Sequence, residues 1–205
     1  MAKFCNLVFK NLFEDVLMEL SKIRIISGKW RGRKIEFPSD VVRPTGDRIR
    51  ETLFNWLQSD IYDATCLDLF AGSGAFSFES LSRGAKKVVA VDQSTEVINC
   101  LKNSAKRLLA ENLKIINAST PSENLARQLS EINFDIIFID PPFEKGLLKE
   151  TVEWVIENIS LNKNALIYVE AEKDLKIDFM PENFELLKDK TAGKVRYLLY
   201  IVKSA

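Results

Sequence analysis

The chain has 205 residues, of which 46% are hydrophobic, and no net charge at pH 7, a composition typical of one domain with a single core. It contains no histidine, which excludes Ser-His and Cys-His nucleophile pairs, histidine bases and zinc sites built on two histidines. Three cysteines without a Cys-x-x-Cys pair, no secretory signal and no apolar run of roughly 18 residues predict a cytoplasmic protein with no disulfide, metal site or membrane span.

A helical extension and a basic β-hairpin are predicted at the N-terminus. Apolar residues recur at helical intervals in residues 1–22, which we assign to an N-terminal extension. Two short strands, Ile23–Ser27 and Arg33–Phe37, flank a glycine-containing turn whose cations are expected to be exposed. Residues 23–205 are predicted to form a single domain, in which residues 23–44 contain this hairpin and the loop that follows it.

Positive charge is concentrated near the N-terminus although the whole chain is neutral. Residues 22–50 contain nine basic and three acidic residues, a net charge of plus six. Such a cluster is either a solvated face or a binding surface for a polyanion, and the cluster alone does not decide between them. In the same region Thr45 is expected to cap a helix that ends near Gln58.

From residue 65 onward, short apolar runs alternate with amphipathic stretches. This βαβ alternation predicts a mostly parallel, doubly wound sheet of the Rossmann-like α/β class, with helices on both faces. The last two runs leave no room for a helix between them and predict an antiparallel C-terminal hairpin, for seven strands in all. The predicted strands are Cys66–Phe70, Val88–Val91, Lys114–Ile116, Phe134–Ile139, Ala165–Val169, Phe184–Asp189 and Val195–Val202.

Residues 67–74 place a strand directly before a glycine turn and a helix that begins near residue 75. Gly72 and Gly74 allow a tight turn and the close approach of a ligand, while the start of the helix offers unpaired amide groups. A structural turn without a ligand is the alternative interpretation of this pattern.

Two aspartates at the ends of predicted strands narrow the choice of ligand. Asp92 lies 18 residues after Gly74, where a carboxylate accepts hydrogen bonds from ribose hydroxyls in nucleotide-binding folds. A cap for the helix that starts at Thr95 is the alternative role, and both NAD and S-adenosylmethionine fit the spacing. Asp68 on the first strand suits a ligand with a positive amino group better than a pyrophosphate, and therefore favours S-adenosylmethionine.

The most informative stretch is Asp140-Pro141-Pro142-Phe143, at the carboxyl end of a predicted strand. An exocyclic amine is a poor nucleophile because its lone pair is delocalised into the ring. The Asp140 carboxylate and the Pro141 carbonyl can each accept one amino hydrogen, and the fixed φ angles of the prolines hold that carbonyl still. Phe143 offers a face on which a base stacks. A proline-stopped strand is the alternative, but together with the glycine loop the stretch favours an amino methyltransferase.

The chain resembles the RsmD family of 16S ribosomal RNA guanine-N2 methyltransferases from residue 23 to about residue 200. The basic hairpin and the Arg-Pro-Thr helix are more particular to this family, whereas many amino methyltransferases share the glycine loop and the tetrapeptide. The stretches that carry the resemblance are Arg24–Arg33, Arg43–Thr45, Arg48–Leu57, Leu67–Gly74, Leu81–Ala85 and Asp140–Phe143.

The resemblance implies a class I methyltransferase fold and transfer of a methyl group from S-adenosylmethionine to the N2 amine of one guanine in 16S ribosomal RNA. The substrate would be the small ribosomal subunit or its precursor, the enzyme a monomer, and the target base would have to leave its stack. The implied catalytic residues are Asp140, Pro141, Pro142 and Phe143. The implied cofactor-binding residues are Asp68, Phe70, Ala71, Gly72, Ser73, Gly74, Asp92, Gln93, Asn117 and Ala118. The implied RNA-binding residues are Arg24, Lys29, Arg31, Arg33, Arg43 and Arg48, which would contact phosphates.

One departure and three rival functions remain at this point. Asn117 stands where such enzymes commonly have an acidic residue near the adenine amine, although an amide oxygen can accept the same hydrogen bond. A DNA adenine-N6 or protein glutamine-N5 methyltransferase also acts on a planar amine, but DNA-modifying relatives usually need a separate recognition domain. A non-catalytic RNA-binding assembly factor is the alternative of a different class.

Overall fold

The computed structural model describes residues 19–143 and 146–203. The strands of this part are β1 (Leu20–Arg24), β2 (Lys34–Pro38), β3 (Thr65–Asp68), β4 (Lys87–Asp92), β5 (Leu113–Asn117), β6 (Asn133–Ile139), β7 (Ser160–Glu172), β8 (Phe184–Ala192) and β9 (Val195–Val202). The helices are α1 (Asp47–Trp56), α2 (Ala75–Ser82), α3 (Thr95–Leu108), α4 (Glu123–Leu129) and α5 (Leu147–Asn158), with one 3-10 turn at Gly28–Trp30. None of the helices in these ranges is both long and apolar enough to cross a membrane.

The main sheet has seven strands in the order β5-β4-β3-β6-β7-β9-β8. Pairing is parallel from β5 to β7 and antiparallel between β7, β9 and β8. The predicted fold class, with its C-terminal antiparallel hairpin, is therefore confirmed. The strand order doubles back after β3, and this reversal opens a crevice at the carboxyl ends of β3, β4 and β6.

Helices cover both faces of the sheet, and this explains why its central strands are apolar throughout. One face packs against α1, α2, α3 and the hairpin, whereas the other packs against α4 and α5. In β4, the alternating residues Val88 and Ala90 enter one core while Val89 and Val91 enter the other, and all four are fully buried. A strand buried on both sides has no polar face, so it appears in the sequence as a continuous apolar run.

The predicted N-terminal hairpin is present, but its first strand lies three residues earlier in the sequence than predicted. β1 spans Leu20–Arg24 rather than Ile23–Ser27, and pairs antiparallel with β2. Most of the predicted N-terminal helix lies outside the described residues, and its assignment at Leu20 and Ser21 is wrong because both belong to β1.

Glu79 on α2 explains why β1 ends early. Its side chain is fully buried, and its carboxylate accepts hydrogen bonds from the amides of Ile26 at 2.7 Å and Ser27 at 3.0 Å. Arg83 donates to the same carboxylate through Nε at 2.7 Å. The amides of Ile26 and Ser27 thus find their partners on a helix instead of in a ladder, and the hairpin loop is attached to the core.

Ser82, at the end of α2, secures the same loop. Its hydroxyl donates to the Ser27 carbonyl at 2.5 Å and accepts from the Trp30 amide at 2.9 Å. Gly28 lies against it with φ of +80°, and a Cβ at this position would come 1.8 Å from the Ser82 carbonyl oxygen. Only glycine fits there, both for its backbone conformation and for the space.

Part of the positive charge near the N-terminus is neutralised within the fold. Arg50 is 1% exposed and donates to the carbonyl of Arg24 at 3.1 Å and to the carboxylate of Asp47 at 2.6 Å. Arg24 donates to the same carboxylate at 3.0 Å, and Lys22 pairs with Glu36 at 3.0 Å. The net charge of plus six already counts these acids, but fewer than nine of the cations in residues 22–50 are free to contact a partner.

We expect Glu79→Ala to lower the free energy of unfolding by about 2–3 kcal/mol, because it leaves two buried amides and Arg83 without their acceptor. Hydrogen exchange at Ile26 and Ser27 should accelerate more than exchange in β6. The exposed Glu153→Ala on α5 is the matched control and should change stability by about 0.5 kcal/mol or less. Unchanged exchange at both amides would show that Glu79 does not hold the loop.

Candidate active site

Parallel pairing brings three aspartates to one edge of the sheet. Asp68 ends β3, Asp92 ends β4, and Asp140 directly follows β6. These strands are neighbours in the order β4-β3-β6, and the charges of Asp92 and Asp140 both act on Asp68. Carboxyl ends of adjacent parallel strands are where open α/β folds bind their ligands.

The glycine loop between β3 and α2 is held in place by its own backbone and by the neighbouring strand. Ala71 donates to the carbonyl of Val91 at 2.9 Å, and Gly72 donates to the Asp92 carboxylate at 2.9 Å. Gly72 and Gly74 have φ values of +48° and +76°, the left-handed region that glycine occupies without strain. Gly74 is the N-cap of α2, so the start of this helix faces the loop as predicted. Of the other predicted loop residues, Ala71 and Ser73 are buried and Phe70 is half-buried.

Asp68 is a carboxyl group almost completely removed from water. It is 1% exposed, and within the described residues its hydrogen-bond partner is Ser77 on α2, whose hydroxyl donates to it at 2.6 Å. The pKa of Asp68 is raised from 3.8 to about 7, chiefly by burial and also by the charges of Asp140 and Asp92, while the Ser77 bond lowers it. A ligand with a positive amino group would relieve this cost, whereas a pyrophosphate would increase it.

Asp92 connects the glycine loop to the start of α3. One carboxylate oxygen accepts from the amide of Gly72, and the other accepts from the amide of Ser94 at 2.9 Å. The alternative role of Asp92 as cap of the helix at Thr95 is wrong, since Ser94 is the N-cap and accepts from the amide of Val97. The carboxylate retains lone pairs that can accept hydrogen bonds from a ligand.

Asn117 and its neighbours form the wall of the site beyond Asp92. The Asn117 side-chain amide donates to the carbonyls of Asp92 and Gln93, each at 3.0 Å, and the Ala118 amide donates to the Asp92 carbonyl at 3.1 Å. Both amide hydrogens of Asn117 are thereby committed, and its oxygen remains as an acceptor. That oxygen is therefore free to accept a hydrogen bond from a ligand.

Asp140 is positioned by a residue far away in the sequence. The Thr45 hydroxyl donates to the Asp140 carboxylate at 3.1 Å, across 95 residues of chain. Thr45 was predicted to cap α1, and this is wrong: Gly46 is the N-cap, and α1 spans Asp47–Trp56. Burial raises the pKa of the half-buried Asp140 to about 6, and the Thr45 bond opposes that rise.

The remaining residues of the tetrapeptide differ in their exposure to solvent. Pro141 is buried, whereas Pro142 is exposed and the Phe143 side chain is 38% exposed. Beneath the site, Phe138 stacks on Phe76 of α2 with ring centroids 5.3 Å apart. The ring of Phe143 is therefore open to solvent, whereas the aromatic rings of Phe138 and Phe76 are packed in the core below the tetrapeptide.

Four side chains near this edge were missed by the sequence analysis: Thr45, Ser77, Tyr168 and Glu170. Glu170 on β7 is 3% exposed and accepts a hydrogen bond from the Tyr168 hydroxyl at 2.7 Å. An acidic residue at the end of an otherwise apolar strand was a signal that the sequence carried. The sequence contained no corresponding signal for Thr45 or Ser77, whose roles depend on contacts between distant elements.

The predicted RNA-binding cations lie on the hairpin and at the start of α1, and all six are exposed. Lys29 lies over the ring of Trp30 at 5.3 Å. Arg24 is engaged by Asp47, as described above, and lines a cleft of about 180 Å³ together with Arg31 and Glu51. Arg31, Arg33, Arg43 and Arg48 have no ion-pair partner among the described residues.

The arrangement is suited to amine chemistry rather than to hydrolysis by a metal or a histidine-activated nucleophile. The chain has no histidine, and the described ranges contain no acidic or cysteine cluster arranged to hold a metal ion. Buried carboxylates and fixed carbonyls are acceptors, so they attract amino and hydroxyl hydrogens. The two described cysteines, Cys66 and Cys100, are buried thiols, and burial raises the pKa of both.

Comparisons with known proteins agree with this geometry. The family model described as Conserved hypothetical protein 95 matches residues 23–201. Ribosomal RNA small subunit methyltransferase D from Haemophilus influenzae is 47% identical over 182 residues, which are 87% of this chain and 93% of that protein. The solved structure of yhhF from Escherichia coli has a TM-score of 0.79 and 42% identity, covering 90% of this chain and 100% of that chain. A more distant solved structure is that of the 16S rRNA N2 methyltransferase RsmC of T. thermophilus, in complex with AdoMet and guanosine. It has a TM-score of 0.66 and 20% identity, and the match covers 90% of this chain and 50% of that chain. This likeness shows a shared fold.

Asp68→Asn is expected to stabilise the ligand-free protein at pH 8. Because folding raises the pKa of Asp68 from 3.8 to about 7, the folded state holds a proton that the unfolded state releases between these values. The stability of the parent protein therefore falls as pH rises from about 4 to 7, and the amide removes this contribution.

The expected gain is about 4 kcal/mol at pH 8, shrinking to near zero at pH 4. Urea unfolding across this pH range measures it, with the exposed Asp178→Asn as a control that should not change the pH dependence. A variant no more stable than the parent at pH 8 would show that Asp68 is not a strained carboxylate.

Proposed function

Because the chain belongs to the RsmD family of ribosomal RNA methyltransferases, we propose that it methylates the N2 amine of a guanine in 16S ribosomal RNA. The observation that carries this proposal is the position of Asp140-Pro141-Pro142-Phe143 at the carboxyl end of β6, beside the glycine loop of β3. We also propose that the active enzyme is a monomer. A ribosomal RNA substrate, in the small subunit or its precursor, implies that the enzyme acts in the cytoplasm.

The residues at the edge of the sheet fit S-adenosylmethionine. Asp68 offers a buried carboxylate to the amino group, and Asp92 offers its remaining lone pairs to the ribose hydroxyls. The Asn117 oxygen is available to the adenine amine, since both of its amide hydrogens are engaged elsewhere. When bound, S-adenosylmethionine supplies an activated methyl group on a positively charged sulfur. A dinucleotide is disfavoured because its pyrophosphate would meet Asp68.

Asp140 and Pro141 orient the target amine in this proposal. The carboxylate of Asp140 accepts one amino hydrogen and the carbonyl of Pro141 accepts the other, so the nitrogen lone pair is directed toward the methyl donor. Two consecutive prolines restrict the backbone at this point, and orientation of this kind accounts for most of the rate enhancement. The proton released on methylation leaves through Asp140 or to water.

Phe143 is assigned to hold the base. A guanine within a folded RNA must leave its stack to reach the crevice, at a cost of a few kcal/mol. The exposed ring of Phe143, three residues after Asp140 in the sequence, offers a replacement surface for stacking. The cations of the hairpin and of the segment before α1 bind phosphates and carry no base specificity.

The decisive experiment is transfer of labelled methyl from S-adenosylmethionine to undermethylated small ribosomal subunits, naked 16S RNA and duplex DNA, followed by nucleoside identification. N2-methylguanosine from a ribosomal substrate is expected. N6-methyladenine in DNA or N5-methylglutamine in protein would instead support the rival methyltransferases. Binding of S-adenosylmethionine without any transfer would favour a non-catalytic assembly factor.

Asp140→Ala should lower single-turnover transfer by at least about a hundredfold, because one acceptor for the amine is lost. Calorimetric binding of S-adenosylmethionine should remain within about threefold of the parent, with the exposed Asp178→Ala as control. Transfer at a near-parental rate would show that Asp140 does not accept from the amine.

Arg31→Ser combined with Arg33→Ser should weaken RNA binding and reduce the slope of log affinity against log salt concentration by about two, one for each phosphate contact. Titration of labelled RNA at several salt concentrations measures this slope. Lys163→Ser, on the exposed start of β7, is the control and should leave it unchanged. An unaltered slope in the double variant would mean that the hairpin does not contact the RNA backbone.

A further inference from the structure

A second buried carboxyl group lies beside the catalytic aspartate. In the parallel pairing of β6 and β7, Phe138 faces Tyr168 and Ile139 faces Val169, so the next residues on the two strands are Asp140 and Glu170. Side chains alternate along a strand, and both carboxyl groups therefore lie on the same face of the sheet as Phe138 and Tyr168. Glu170 has no role in the mechanism above, yet it is 3% exposed and close enough for its charge state to depend on Asp140.

The hydrogen bonds around Asp140 and Glu170 indicate which of the two carboxyl groups carries a proton. The Tyr168 hydroxyl donates to Glu170 at 2.7 Å, and the Thr45 hydroxyl donates to Asp140 at 3.1 Å. The same Thr45 hydroxyl is also a hydrogen-bond neighbour of Glu170. A hydroxyl has one hydrogen, and because Thr45 gives it to Asp140, it can only accept from Glu170. Every contact is satisfied if Glu170 carries a proton and donates it to Thr45.

The surrounding charges favour the same pattern. Burial chiefly, and then the charge of Asp140, raise the pKa of Glu170 well above its usual range, and they outweigh the hydrogen bonds to Tyr168 and Thr45, which lower it. The titratable groups around this pair are acids or phenols. The charge of Asp140 also acts on Asp68 of β3 and on Tyr168 of β7, while Asp92 of β4 acts on Asp68 and Tyr197 of β9 acts on Tyr168. Two adjacent carboxylates in so acidic a setting would repel each other, so one proton is retained between them.

We propose that Glu170 is a positioning residue that stays protonated and, through Thr45, keeps Asp140 ionised as the acceptor for the target amine. The chain of donors runs from Tyr168 to Glu170, then to Thr45, and ends at the Asp140 carboxylate. A neutral Glu170 adds no charge beside Asp140, and the hydroxyl it orients stabilises the ionised form of Asp140. This inference depends on the proposed function, in which Asp140 accepts a hydrogen from the amine.

The proposal is tested by the pH dependence of methyl transfer to 16S RNA, measured as kcat/KM for RNA with S-adenosylmethionine saturating, so that Asp68 is engaged throughout. Thr45→Val removes the donor to Asp140 and should move the midpoint of the acidic limb upward by about one pH unit. Transfer at pH 6 should then fall about tenfold, while transfer at pH 8.5 stays within about threefold of the parent. Thr45→Ser keeps the hydroxyl and should restore the midpoint.

Glu170→Gln separates a protonated from an ionised glutamate. The glutamine amide can donate to Thr45 while its oxygen accepts from Tyr168, so the midpoint should match that of the parent. Glu170→Leu removes both bonds and should shift the midpoint as Thr45→Val does. If Glu170→Gln moves the midpoint as far as Glu170→Leu, glutamate acts in its ionised form and the proposal is wrong. An unmoved midpoint in Thr45→Val would also overturn it.

A measurement without substrate distinguishes failure of this inference from failure of the proposed function. Because the folded-state pKa of Asp140 is raised, stability falls as pH increases through about 6. In Thr45→Val this fall should extend to higher pH, by about one unit, whereas Thr52→Val on the exposed side of α1 should behave as the parent. Absence of methyl transfer in the parent protein would refute the function, while an identical pH dependence of unfolding in Thr45→Val would refute the hydrogen-bond chain.

Discussion

The parallel pairing of four adjacent strands is the constraint from which the properties of the site follow. Since β4, β3, β6 and β7 run in the same direction, the acids at their carboxyl ends meet at one edge of the sheet. Asp68, Asp140 and Glu170 share one face of it, so each is buried beside another acid. The resulting pocket is poor in cations and rich in acceptors, which suits a ligand with amino and hydroxyl hydrogens.

Helix α2 joins this edge of the sheet to the N-terminal hairpin, which we propose contacts RNA. Gly74 of the glycine loop is its N-cap, and Ser77 in its first turn donates a hydrogen bond to Asp68. One turn further on, Glu79 and Ser82 hold the hairpin loop through backbone amides. A short helix with both ends engaged in this way fixes the distance between the proposed phosphate contacts and the cofactor loop, as precise positioning of a base requires.

The acidic residues at this edge of the sheet lower the stability of the fold and serve the chemistry of the site. Burial of Asp68 and Asp140 without a counter-charge among the described residues raises the pKa of both, and their ionisation at neutral pH opposes folding. Natural active sites commonly retain such strain because its removal costs activity. Here the hydroxyls of Ser77 and Thr45 reduce the cost by donating to each carboxylate, and they do so without introducing a positive charge that would repel the methyl donor.

The order of strands and helices, the glycine loop and the Asp-Pro-Pro-Phe segment could be predicted from the sequence, because each depends on neighbours within a few residues. Apolar runs, turn residues and fixed proline angles act locally and are visible in the sequence. The partners of Thr45, Glu79 and Glu170 could not be predicted, because they depend on how distant elements pack. Thr45 does not cap α1 but donates to a carboxylate 95 residues away in the sequence. Glu79 ends β1 early because it accepts hydrogen bonds from two amides that are 53 and 52 residues away. A polar side chain bonds to the partner that packing brings within hydrogen-bonding distance, and no local sequence pattern indicates which distant atom that will be.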